Sequence, residues 1–171
     1  TSGTLTINAG ETSGTISVTV SGDTTVELNE TFFVELSHLI ASSRDVSLTD
    51  NQATGTITND DSATVSIGNV SINEGNSGNT TLTFTISLDN PADTAVTLSV
   101  DTDELTATSG NDFLSIMGDT VTFAANTTTD QTVDVTIIGD TLVEFDETLA
   151  LVLSSLNADG RNVSFTGETS T

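Results

Sequence analysis

Asp101, Asp103, Glu104 and Asp112 put four carboxylates into one short stretch that reads as a single loop. Like charges held that close need a counter-ion or free solvent. Ca²⁺ is the ion whose chemistry fits, because it takes about 6–8 oxygen ligands from carboxylates, carbonyls and water. A solvated acidic loop would show the same residues, and composition leaves both readings open.

Other residue types of chemical interest reduce to structure. Glu27 and Glu30, like Glu144 and Glu147, have the look of a glycosidase carboxylate pair. They stand at one spacing in two places, which points to a repeated structural turn whose carboxylates cap backbone amides. His38 is the one histidine, and a single imidazole makes neither a zinc site nor a triad. Ser13-Gly14, Ser77-Gly78 and Ser109-Gly110 are turn signals rather than nucleophile elbows. The expectation is a chain that is not an enzyme.

The elements that position these groups are β-strands. Leu82, Phe84, Ile86 and Leu88 alternate with Thr and Ser. The same alternation runs through Val96–Leu98–Val100, Val121–Phe123, Val133–Val135–Ile137 and Leu149–Leu151–Leu153. Period two gives each strand an apolar face and a hydroxyl-rich face, as a two-layer antiparallel sandwich requires. The aromatic residues are all Phe, lie mostly in these runs, and read as core. No stretch has helical periodicity, and none approaches the ~18 apolar residues of a membrane helix. Asp plus Glu number 25 against 2 for Lys plus Arg, a formal charge of −23. That balance repels nucleic acid and anionic membranes and attracts divalent cations. Cysteine is absent, and a chain of this size can bury a core without disulfides.

An internal repeat sets the organisation. Residues 22–37 read GDTTVELNETFFVELS, and residues 139–154 read GDTLVEFDETLALVLS, an offset of 117 residues. ISVTVSGD before the first answers VDVTIIGD before the second, and Arg44 answers Arg161. A period of this length is a whole sandwich, not a solenoid turn. Residues 1–61 read as the C-terminal half of a first repeat, and residues 62–171 as a second repeat lacking its last strand. Sheets with open edges invite strand addition from a neighbour, so strand donation within a filament is a further expectation.

With the repeat in view, the chain resembles the Calx-beta family. The carrying motifs are Ile72-Asn73-Glu74-Gly75-Asn76-Ser77-Gly78, Thr106-Ala107-Thr108-Ser109-Gly110-Asn111-Asp112-Phe113, the two GD-x₃-E-x₂-ET segments, and Gly55-Thr56-Ile57-Thr58-Asn59-Asp60-Asp61. They fall in the family's order along nearly the whole chain. The resemblance implies tandem immunoglobulin-like Greek-key sandwiches of seven strands per repeat. It also implies calcium held by carboxylates from several loops at one end. Residue by residue it points to Glu74, Asp112 and Glu104, with Asp60 and Asp61 serving the preceding copy. The loop at residues 101–105 departs from the family in being short and lacking glycine.

The function expected from this resemblance is a calcium-binding, structural or adhesive repeat segment of a large extracellular or cell-surface fibrous protein. Its partners would be neighbouring repeats or subunits of the same protein, with no nucleic acid and no membrane insertion. A calcium-sensing regulatory module is a second reading, and a carbohydrate-binding accessory domain of a secreted enzyme is a third.

Overall fold

In the computed structural model, which describes residues 2–167 and 169–170 (the last two by backbone alone), every regular element is a strand. Residues 2–29 contain no strand beyond an isolated bridge at Val26. β1 (Glu30–Glu35) and β2 (Gln52–Ile57) then form an antiparallel pair of their own.

The second copy builds a sandwich from β3 (Ala63–Ile67), β4 (Gly78–Leu88), β5 (Val96–Glu104), β6 (Asp119–Phe123), β7 (Gln131–Gly139), β8 (Leu149–Asn157), β9 (Val163–Phe165) and β10 (Thr169–Ser170). One sheet has the order β7-β4-β3-β9 and the other β10-β8-β5-β6. The all-β sandwich expected from the alternation is therefore present. Seven strands carry the expected layout. The eighth, β9, is a three-residue strip that adds parallel to β3.

The apolar phase of each strand meets between the layers. Phe84, Ile86, Leu98, Val100, Phe123, Val135 and Leu151 are buried together there. On β4, β5 and β7 their outer-phase neighbours are mostly Thr, Ser and Asp, whereas on β8 they are Ala150 and Val152. Among the described residues no buried side-chain polar atom lacks a partner. Phe84, Phe113 and Phe123 are fully buried as core residues, but Phe33 and Phe145 stand in solvent, against the reading of the aromatics as core.

β10 pairs with β8 in the register that β2 adopts on β1. Thr169 faces Val152, and their counterparts 117 residues earlier, Gln52 and Glu35, also face each other. The strand that the sequence reading leaves out of the second copy thus has its first residues in place.

Candidate metal centre

Two loops converge at the end of the sandwich where β7 finishes. The first follows β5 and is pinned to β7. Leu114 N–H donates to the Thr136 carbonyl (2.9 Å), and Ile138 N–H donates to the Asp112 carbonyl (2.8 Å). Gly110, at φ 89°, makes the turn that a side-chain-bearing residue resists. Asp112 Oδ2 accepts the Thr108 N–H at 2.7 Å, which fixes the carboxylate. The second loop joins β7 to β8. It begins with an Asx turn, Leu142 N–H donating to Asp140 Oδ1 (2.6 Å), and ends where Thr148 is tied to Thr106.

Between these anchors Glu144 and Glu147 meet Asp112. One carboxylate oxygen from each of the three lies within 4.8 Å of the others. They line an open cleft with Asp140, Asn111 and Thr108. Partial desolvation, then the neighbouring Asp140, Asp112 and Glu74 charges, raises the Glu144 pKa. Desolvation, then the Asp112 and Glu144 charges, does the same for Glu147. These groups are costly to keep ionised together, and a cation would relieve that cost. All the donors are hard oxygens, the set that Ca²⁺ prefers.

Glu74 stands beside this cluster because its loop packs against Gly139. A Cβ on Gly139 would sit 2.6 Å from the Glu74 carbonyl oxygen and 2.8 Å from that of Gly75. Glycine at the GD motif therefore lets the EG motif close over the same end of the sandwich.

The other candidate carboxylates go elsewhere. Asp101, Asp103 and Glu104 are not in a loop with Asp112, because they lie in the C-terminal half of β5, paired with Val152, Ala150 and Leu149 of β8. The apolar alternation of β5 runs on to Val100, so the strand continues through acidic residues once they face solvent. Asp101 Oδ1 accepts the Gly118 N–H (2.7 Å), and Glu104 Oε1 accepts the Ser109 N–H (2.8 Å). Asp60 and Asp61 precede β3 at the opposite end of the sandwich. There Asp61 lies in the field of Glu27, whose pKa is raised by desolvation and then by Glu30, Asp23, Asp93 and Asp61.

Glu144 and Glu147 were missed as candidates. Among the described residues they accept no backbone amide, so the capping role expected of them is not seen there. The usable signal was their place in the repeated GD-x₃-E-x₂-ET segment, one loop away from Asp112.

A family model described as the Calx-beta domain matches residues 1–62 and 59–171. The chain belongs to the Calx-beta family. Among solved structures, one titled "Crystal structure of Apo-form Calx CBD1 domain" is similar over 64% of this chain and 95% of its own, at 16% identity and a TM-score of 0.51. At that identity the likeness speaks for the fold. A search of curated protein sequences finds no match. The two Calx-beta matches overlap at residues 59–62, just before β3. No helix among the described residues is long and apolar enough to cross a membrane.

Proposed function

We propose that this Calx-beta segment binds Ca²⁺ at the β7 end of its second copy, through Asp112, Glu144 and Glu147, as part of a structural or adhesive extracellular or cell-surface protein. The convergence of three carboxylates from two separately anchored loops carries this reading. Glu74 and Asp140 add negative field at the same end. Water and backbone carbonyls would complete the ~6–8 oxygens the ion takes. Holding the two loops together is what such an ion does for a repeat in a fibre. The regulatory reading uses the same site and differs only in what the bound state is coupled to.

Extracellular calcium modules have dissociation constants of about 10⁻⁴–10⁻³ M. Linkage then gives roughly 1 kcal/mol of stabilisation at millimolar calcium, seen as a modest rise in Tm over chelator. The Glu144→Gln/Glu147→Gln double variant should lose that rise while keeping its fold. An unchanged wild-type Tm between chelator and about 10 mM calcium would leave only a solvated acidic loop.

A further inference from the structure

The two copies treat one segment in opposite ways. In the first copy, Val26 is 0% exposed because it is built into the second copy. Its N–H donates to the Pro91 carbonyl (2.8 Å), and its carbonyl accepts the Asp93 N–H (3.1 Å). It forms a parallel bridge to Ala92 and packs into the core with Ala92 and Ala158. Leu28 reaches towards Gly160. Asn59 clamps the segment, accepting the Glu27 N–H (3.1 Å) and donating its side-chain amide to the Asp61 carbonyl (2.9 Å).

The counterparts of Val26 and Leu28 are Val143 and Phe145, and each is 96% exposed. Leu142 beside them is exposed too. The conformation leading in is already set. Leu142 N–H bonds to Asp140 Oδ1 as Thr25 N–H bonds to Asp23 Oδ1 (2.6 and 2.7 Å). Three large apolar side chains within four residues in solvent, on a chain of charge −23, are a costly surface without a partner.

We infer that residues 140–145 are a docking strand for a further Calx-beta copy, which receives Val143 and Phe145 on its counterpart of Pro91, Ala92 and Asp93. The occupant is a following copy and not a second molecule of this chain, because this chain's own Pro91–Ala92–Asp93 edge is covered by Val26. The inference rests on family membership and the repeat; residues 140–145 include Asp140 and Glu144 of the proposed calcium end, so its test is run without the ion.

The test extends the full chain directly after Thr171 with a second copy of residues 55–171, which continues the 117-residue register. Amide hydrogen exchange is followed in chelator, so that failure of the calcium reading leaves the result untouched. The Val143 amide should exchange at least about 100-fold more slowly in the extended chain than in the 171-residue chain. The Val26 amide, slow in both, is the internal reference. Phe145→Asp in the extended chain should restore fast exchange at Val143 and leave Val135 slow, showing that the sandwich remains folded. Equal Val143 rates in the two chains would overturn the inference. So would protection of Val143 in the 171-residue chain that grows with its concentration, since the partner would then be a second molecule of the same chain.

Discussion

Residues 16–20 and 133–137 carry the same alternation of apolar and hydroxyl side chains, yet only the second is a strand. Val133 and Val135 lie inside a closed sandwich on β7, while their counterparts Ile16 and Val18 stand half in solvent with no strand assigned. The difference lies in the surroundings. β7 pairs along its whole length with β4, and among the described residues of the first copy nothing occupies the place of β4. Alternation is thus a statement about what a segment can bury, and it becomes a strand when a partner supplies the ladder and the opposing layer. Where a partner is present, the two copies agree closely, as the shared register of β1 on β2 and β8 on β10 shows.

The largest effect expected from this contrast is in the cores. Residues 3–10, GTLTINAG, answer residues 119–126, DTVTFAAN, with one residue gained in the turn that follows; there Phe123 is 0% exposed and its counterpart Ile7 is 51% exposed. Phe123→Ala should cost about 3–5 kcal/mol through the transfer and cavity terms. Ile7→Ala should stay within about 0.5 kcal/mol. Urea unfolding of both variants checks this. A comparable loss at Ile7 would mean that residues 2–22 are packed in solution.

A smaller contrast concerns the repeated GD glycine. A Cβ at Gly139 meets the Glu74 and Gly75 carbonyls, whereas one at Gly22 meets nothing within 4 Å. Gly139→Ala should cost about 1–3 kcal/mol, as overpacking does. It should also weaken calcium binding by displacing the Glu74 loop. Gly22→Ala should be nearly silent in stability, within about 0.5 kcal/mol. Denaturation midpoints and calcium titration of the two variants separate the outcomes. Equal effects would remove the link drawn between the EG and GD motifs.

The core of the second copy was legible because burial follows period two, and Leu82 to Leu88 or Leu149 to Leu153 show it directly. The site was less legible because carboxylate function depends on where loops end, and sequence proximity misleads. Asp101 and Asp103 sit close to Asp112 in sequence but lie on a strand, with Asp101 turned to the Gly118 amide. Glu144 and Glu147 are over thirty residues away from Asp112 and meet it. Arg161 and Arg44 show the same limit. Both have a carboxylate close by in sequence, Asp45 next to Arg44 and Asp159 two residues before Arg161. Arg161 instead forms a bidentate pair with Asp93, 68 residues distant (2.6 and 2.9 Å), and Arg44 makes no salt bridge among the described residues. Long-range pairs of this kind are set by topology, which periodicity does not specify.

The smallest effect is also the one that best separates the two acidic ends. Glu27 at the junction and Glu144 and Glu147 at the β7 end all have pKa values raised above the usual 4.5. A raised carboxylate binds its proton more tightly folded than unfolded. Its contribution to stability is therefore fully present below about 4.5 and is lost as pH rises through the folded value. Asp93 behaves oppositely. The Arg161 hydrogen bonds lower its pKa below the usual 3.8, so its contribution holds above that value and is lost only as pH falls through the folded one. In chelator, Tm should rise as pH falls from about 7 towards 4.5 and then decline in stronger acid. Glu27→Gln and Glu147→Gln should each flatten the rise. Calcium competes with the same protons at the β7 end, so its Tm increment should shrink as pH falls through the raised Glu144 and Glu147 range. Glu147→Gln should remove the increment. Glu27→Gln should keep it, because Asp112, Glu144 and Glu147 are the one group of three among the described residues that converges closely enough to hold an ion. Thermal melts of the three proteins across that pH range, with calcium and with chelator, decide it. Loss of the increment in Glu27→Gln but not in Glu147→Gln would move the ion to the junction, among Glu27, Asp60 and Asp61.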